Sequence, residues 1–555
     1  MVDTPMPMPN ALLSVRDLAI SYRNSQRSGL AVDGLDFDLA PGEALALVGE
    51  SGCGKSSVAL SLLDLLPRST VRTGQVLFNG SDLAVLPARE LRRIRGREIG
   101  MIFQEPMTSL NPVYTVGRQI AEILQEHTSI SRRVARSRAI ELLDLVSLAD
   151  PATKVDAYPH ELSGGQRQRV MIAMAVALEP RLLIADEPTT ALDATTQAQI
   201  LALIDRLRRE MGTSLLLISH DLPLVRRWTD RVIVMHHGKQ MELLPSAAMF
   251  EGSHHPYTRG LIAASVRLND GRHASTQRLS EVHARRQPDG EFRFDLETPP
   301  PSQSARTSEA AGNEPIFEVS NLRVSYPGAK TPAVNGVSLT IARGETLGLV
   351  GESGSGKSSL SRAVMGLIQF TGDVRLDGHS LGKGFDQAAR RRVQMVFQDP
   401  YASLNPRHTV AEILNRPMKL HGLDNRETRL RQMLDLVKLP AGSANRFPHE
   451  FSGGQRQRIG IARALILKPD VVICDEAVSA LDVSIQAQIL NLLADLKQEL
   501  GLSILFISHD LAVVQYVSDR VMVMRNGDVV ETANRHDIWA SPQHPYTRQL
   551  IAAAA

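Results

Sequence analysis

The sequence predicts an α/β protein made of two tandem copies of one domain, each built on a mostly parallel sheet buried on both faces. Three observations point there. Long motifs recur in the same order in the two halves of the 555-residue chain. Each half carries short continuous apolar runs alternating with helical patterns, as strands covered by helices on both sides require. Between the halves, over residues 270–314, hydrophobic periodicity fades and serine, arginine, glutamate and proline dominate. Such composition buries little surface and reads as a flexible, exposed linker. The expected organisation is a tail at 1–10, a first domain at 11–269, the linker at 270–314 and a second domain at 315–555.

Each domain opens with a β-rich stretch (13–39; 317–341) that runs into an apolar strand, Ala44-Leu-Ala-Leu-Val48 or Thr346-Leu-Gly-Leu-Val350. A glycine loop and a helix follow, then a helix-rich middle. Further buried strands are expected at 181–185 and 214–218, and at 471–474 and 503–507. The lysines of the two glycine loops lie 302 residues apart and the later histidines His220 and His509 lie 289 apart. Whole-domain duplication with small insertions explains that spacing; solenoid repeats are far shorter.

Composition narrows the class. Apolar residues are 43% and charged residues 22%, ordinary for a soluble globular protein. A net charge of +2 and 4% aromatics leave neither a basic footprint nor a stacking platform for nucleic acid. Two cysteines, Cys53 and Cys474, exclude a disulfide framework and a four-cysteine zinc site. No run of 18 to 20 apolar residues is present, and the N-terminus lacks the basic region of a secretory signal. The chain is expected to be soluble by itself, so any membrane role comes through partners.

The first chemical motif is the glycine loop. Gly49, Glu50, Ser51, Gly52, Cys53, Gly54, Lys55 and Ser56 return as Gly351, Glu352, Ser353, Gly354, Ser355, Gly356, Lys357 and Ser358, with Ser57 and Ser359 next in line. G-x-x-x-x-G-K-[ST] between a strand and a helix wraps backbone N–H groups around phosphates, aided by the helix N-terminus. Lys55 and Lys357 reach the β- and γ-phosphates, while Ser56 and Ser358 offer hydroxyls to Mg²⁺. Downstream, Asp186-Glu187 and Asp475-Glu476 end apolar strands. Adjacent carboxylates at that edge suit a magnesium-holding Asp and a water-polarising Glu. Ser163 and Ser452 read as helix N-caps, each followed by Gly-Gly-Gln, and open a second anion cradle.

Ser163, Gly164, Gly165 and Gln166, with Ser452, Gly453, Gly454 and Gln455, resemble the signature of ATP-binding-cassette (ABC) nucleotide-binding domains. The resemblance covers nearly the whole chain outside the linker. It implies, for each half, a RecA-like parallel-sheet core with an antiparallel β subdomain and a helical signature subdomain. It implies that Gln104 and Gln398 touch Mg²⁺ with Asp186 and Asp475, and that His220 and His509 contact the γ-phosphate. Asp193 and Asp482 match a loop that crosses the dimer interface. Tyr22 and Tyr326 match either the aromatic that stacks on adenine or a plain turn tyrosine. The resemblance also implies composite sites: each ATP lies between one half's phosphate loop and the other half's signature, so the chain forms its own pseudo-dimer. Glu187, Glu476, His220 and His509 are then the catalytic residues.

Each half ends in a matching tail, His255-Pro-Tyr-Thr-Arg259 and His544-Pro-Tyr-Thr-Arg548. Taken alone, the tail is an ordinary turn into a last amphipathic helix. It nonetheless resembles the ATPase subunits of peptide, nickel and glutathione importers, here fused. That likeness implies two transmembrane permease subunits docked beside Gln104 and Gln398, an extracytoplasmic solute-binding protein, a place on the cytoplasmic face of the membrane, and peptides as cargo. No cysteines follow either tail, so no iron–sulfur cluster is expected. A soluble double cassette acting on ribosomes or DNA is the competing class. The proline-broken linker and balanced charge argue against it.

Overall fold

A computed structural model describes residues 10–22, 30–190, 192–253, 255–288, 291–300, 314–329, 331–382, 386–399, 403–479 and 481–554. Residues 1–9 of the expected tail and 301–313 of the expected linker lie outside these. The chain divides into unit 1, Met1–Leu192 with Thr196–Ile262, and unit 2, Asp193–Thr195 with Ala263–Ala555.

In unit 1 the strand Ala44–Gly49 is buried at every position, as its unbroken apolar run requires. It is paired in parallel on both sides, with Ser214–Ile218 and with Arg231–His236. Beyond Ser214–Ile218 come Leu182–Asp186 and then Ile99–Ile102, both parallel. Lys239–Pro245 closes the other edge antiparallel, making six strands. A separate four-stranded antiparallel sheet holds Leu13–Tyr22 between Val32–Leu39 and Thr70–Phe78. It shares one apolar core with the inner face of the parallel sheet, through residues such as Phe37, Leu47 and Ile184. A second core fills the helical region of Val116–His127, Arg132–Leu145 and Gly164–Val176, with Ile120, Leu142 and Ile172 fully buried.

Unit 2 repeats the plan. Thr346–Val350 lies between Ser503–Ile507 and Arg520–Arg525, followed outward by Val471–Asp475 and Val393–Val396 on one side and Asp528–Asn534 on the other. Its antiparallel sheet centres on Pro315–Val324, and its helical region is Val410–Leu420, Arg426–Leu436 and Gly453–Leu465. The expected α/β architecture with antiparallel and helical subdomains is therefore present in both units.

The linker expectation needs correction. Unit 1 ends at Ile262, and residues 270–297 are built into unit 2. They include a two-stranded hairpin, Glu281–Arg286 with Phe292–Glu297. Leu279 is fully buried in the main core of unit 2. A few anchoring side chains hold this stretch in place, and they impose no periodicity that composition could reveal.

Candidate nucleotide sites

The phosphate loops owe their shape to glycine. Gly54 and Gly356 adopt φ of 104°, open to glycine but strained for other residues. A Cβ on Gly54 would sit 2.3 Å from the Ala31 carbonyl oxygen, and one on Gly49 would sit 2.2 Å from that of Met235. Gly351 and Gly356 are equally tight, at 2.2 Å from the Met524 and Ala333 oxygens. Each loop thus curls against neighbouring backbone where no side chain fits. The helices Lys55–Leu62 and Lys357–Val364 begin directly behind the loops. Lys55 Nζ donates to the Gly49 and Glu50 carbonyls at 2.7 and 3.0 Å, and Lys357 Nζ to those of Gly351 and Glu352 at 2.8 Å each. Burial lowers the Lys357 ammonium below its ordinary pKa, opposed first by the Glu476 carboxylate.

Sheet order brings the acidic pairs to the same edge. Asp186 ends the strand two places from Ala44–Gly49, and its Oδ1 accepts from Ser56 Oγ at 3.2 Å. In unit 2 the partner of Asp475 is Ser361, one turn further along the helix, at 2.9 Å. Burial raises both aspartate pKa values, and these hydroxyls partly offset it. Asp475 Oδ1 is buried with no hydrogen-bond partner among the described residues. A buried carboxylate oxygen left bare, on a carboxylate whose other oxygen takes a serine hydroxyl, suits a hard divalent cation such as Mg²⁺. Asp186, with the Ser56 hydroxyl on its Oδ1, offers the same donor types in unit 1.

Glu187 and Glu476 follow, both in the left-handed region with φ of 45° and 50°. Such φ is uncommon for a residue with a side chain, and here it turns the carboxylate out of the strand. Gln104 Nε2 donates to Glu187 at 3.0 Å, and Thr190 Oγ1 does so at 2.9 Å. Gln398 Nε2 donates to Glu476 at 2.7 Å. His220 Nδ1 lies 3.5 Å from Glu187, and His509 Nδ1 lies 3.3 Å from Glu476. Burial alone would raise the Glu187 pKa, but the hydrogen bond and charge of His220, with Thr190 and Lys55, hold it down to about 2. Glu476 is likewise lowered: burial is outweighed by His509 and Lys357. His509 titrates above its ordinary value, because the Glu476 carboxylate overcomes the opposing burial.

Each signature begins a helix as its sequence implies. Ser163 Oγ accepts from the Gln166 N–H at 3.3 Å, while Gln166 Oε1 accepts from the Ser163 N–H at 3.0 Å. Ser452 and Gln455 repeat this capping box at 3.4 and 3.1 Å. Tyr22 and Tyr326 hydroxyls meet Ser57 and Ser359 at 2.9 and 3.1 Å, one residue past each loop serine. Asp482 stands at the N-cap of Val483–Leu500, and Asp193 is buried. Cys474 is wholly buried, with its thiol pushed up to about 12, and Cys53 is buried beneath the first loop.

Three contacts escaped the sequence. Thr190 supports Glu187, and Ser479 at the matching place donates to the Glu476 backbone carbonyl at 3.1 Å. The hydroxyl kept in both halves was the available signal. Ser361 displaces Ser358 as the aspartate's partner, and nothing in the motif announces this. Tyr546, from the second tail, accepts at its hydroxyl from the Glu352 backbone N–H at 3.1 Å, so the tail touches the phosphate loop of unit 2. Its repetition in both halves was the hint.

A parallel sheet carrying phosphate loop, buried aspartate, hydrogen-bonded glutamate and capped signature helix defines a phosphate-loop ATPase of the cassette type. Comparison with known proteins agrees. The family model described as ABC transporter matches residues 32–190 and 334–479. The one described as oligopeptide/dipeptide transporter, C-terminal region, matches 241–294 and 530–555. The chain is 47% identical to the peptidoglycan transport ATP-binding protein YejF of Agrobacterium fabrum, over 98% of this chain and 96% of that protein. It is 45% identical to the glutathione import ATP-binding protein GsiA of Pectobacterium atrosepticum, over 99% of this chain and 91% of the relative. The GsiA of Escherichia coli K12 is also 45% identical, over 98% and 89%. The chain belongs to the ABC transporter ATP-binding family, as a double-cassette ATPase.

Proposed function

We propose that this chain is the motor of an importer for di- or oligopeptides, or for a peptide-like solute such as glutathione. The observation that carries the reading is the pairing of two complete motif sets with two His-Pro-Tyr-Thr tails, within the regions matched by the oligopeptide/dipeptide transporter model. The names of the relatives compared above, glutathione import and peptidoglycan transport, support that cargo class. No helix among the described residues is long and apolar enough to cross a membrane, so the passage is assigned to partners. Two permease subunits would dock beside Gln104 and Gln398 on the cytoplasmic face of the membrane. An extracytoplasmic binding protein would deliver the solute.

The chemistry follows from the residues. Loop N–H groups and Lys55 or Lys357 bind and orient the phosphates, exchanging backbone carbonyls for phosphate oxygens. Mg²⁺, held by Ser56, Asp186 and Gln104 or by Ser358, Asp475 and Gln398, supplies charge neutralisation when bound. Glu187, held down to about 2, is ionised at neutral pH and a weak base, so it orients and polarises water rather than storing its proton. Turning His220 toward the γ-phosphate withdraws the group that most depresses that pKa, which strengthens Glu187 as a base when substrate is in place. His509 and Glu476 do the same in the second site. Ser163 to Gln166 serve the ATP of the other cassette, and Ser452 to Gln455 the reverse, with Asp193 and Asp482 in the loops between. Tyr22 and Tyr326 stand at the adenine end.

The test is uptake. Deleting the gene should abolish entry of a labelled tripeptide or of glutathione, and the intact chain should restore it while the Glu187→Gln/Glu476→Gln double variant does not. Unchanged uptake of peptides and glutathione after deletion would refute the importer reading.

A further inference from the structure

Part of the stretch that composition marked as free linker, the strap of residues 273–281, is bonded to the second cassette. Arg278, wholly buried at its side chain, donates from Nε and Nη2 to Asp495 at 3.0 and 2.9 Å and from Nη2 to Gln498 at 3.2 Å. Asn491, fully buried in the middle of the helix Val483–Leu500, pairs both ways with the backbone of Leu279. It accepts from the Leu279 N–H at 3.0 Å and donates to the Leu279 carbonyl at 2.9 Å. Tyr516 donates to the Gln277 carbonyl at 3.0 Å, and its own carbonyl accepts from the Ala274 N–H at 2.8 Å. A buried asparagine spending its amide on another segment's backbone costs much to leave unpaired, so this face of the second cassette is shaped for the strap.

The two copies differ at this face. At the offset of 289 that relates His220 to His509, Asn491, Asp495, Gln498 and Tyr516 correspond to Ala202, Arg206, Arg209 and Arg227. All four are exposed. Where the second cassette offers a carboxylate and amides, the first offers three arginines and no amide. An arginine-keyed strap is attracted to one copy and repelled by the other, a specificity built from both signs of charge.

We propose that residues 273–281 are a non-covalent latch. It fastens the chain leaving unit 1 onto the second cassette through Arg278 and Asp495, independently of the covalent connection through 301–313. The latch does not need ATP, and it holds whether or not the importer reading does. With the latch closed, the effective concentration of the halves is set by the short run of residues after Ile262 instead of by a 45-residue loop.

The experiment uses the full chain with a protease site inserted within 303–310. The purified protein is cut without nucleotide and passed over a sizing column at decreasing concentrations. The nicked wild-type chain should stay together. The nicked Asp495→Arg variant should come apart at a concentration at least tenfold higher than wild type, while its uncut form elutes normally. Lys438→Glu removes the other cation near Asp495, 3.7 Å away, and should behave as wild type. Nicked wild type and Asp495→Arg dissociating at the same concentration would overturn the proposal, as would Lys438→Glu dissociating like Asp495→Arg.

Discussion

The two phosphate loops are nearly superposable in motif but stand on different footings. Beneath the second, Arg525 lies over the ring of Tyr546, 4.7 Å from its centre, and the Tyr546 hydroxyl takes the Glu352 N–H. At the matching place in the first, His236 packs 4.4 Å from the ring centre of Tyr257 and 3.9 Å from the Glu50 carboxylate. Burial, with the neighbouring His237 and His255, lowers His236 to about 4, so it is neutral at physiological pH. One loop therefore has a permanent cation behind it and the other an uncharged ring. The duplication kept the loop lysine and serine, the acidic pair, the glutamine, the histidine and the signature, and changed what lies behind the loop.

Graded substitutions separate the contributions of the two loops. Lys55→Ala and Lys357→Ala should each weaken nucleotide binding at their own site by about a hundredfold, since a charge-assisted phosphate contact is lost in each. Calorimetric titration would read two classes of site in either variant. If one lysine proves dispensable, the two loops are not equivalent in chemistry. Next in size is a pH effect. Glu187 titrates at about 2 rather than 4.5, so it stabilises unit 1 above pH 4.5 by something on the order of 3 kcal/mol. That stabilisation fades as pH falls from 4.5 toward 2. Thermal melts across that range should show Glu187→Gln losing the low-pH slope that wild type has. His509 runs the other way. Its raised pKa stabilises unit 2 below pH 6.5, and the contribution disappears as pH rises through the raised value.

Smaller still is Tyr546→Phe. It removes one hydrogen bond to the second loop, worth about 1 kcal/mol, and should weaken ATP there by roughly fivefold. Exchanging the footings, with His236→Arg and Arg525→His, should shift site affinities by about twofold in opposite directions, and salt should erase the difference. Equal behaviour of the exchanged and native chains in low salt would show that the footing has no influence on nucleotide.

The legibility of this molecule follows the range of its constraints. Gly54, Lys55 and Ser56 are dictated within one turn of chain, because backbone geometry and phosphate chemistry both demand those residue types in that order. Ser163 and Gln166 cap their own helix three residues apart, and sequence shows that directly. The strands are legible because Ala44–Gly49 must be apolar throughout. Arg278 finds Asp495 from 217 residues away, and no local pattern predicts such a pair. Ser361 is the partner of Asp475, where the matching position of the first half is Ala59 and has no hydroxyl to offer, a difference that lies outside the motif. The latch was hidden for the same reason: three or four long-range anchors fix a stretch whose average composition is that of a loop.

Each cassette is proposed to hydrolyse ATP through its own glutamate. The most direct measurement is steady-state phosphate release by the full chain, assembled with its membrane partners, as wild type, Glu187→Gln and Glu476→Gln. Each single variant should lower turnover by about twofold or more while still binding ATP, and the double variant by about 10²-fold or more. Full turnover in both single variants would contradict it.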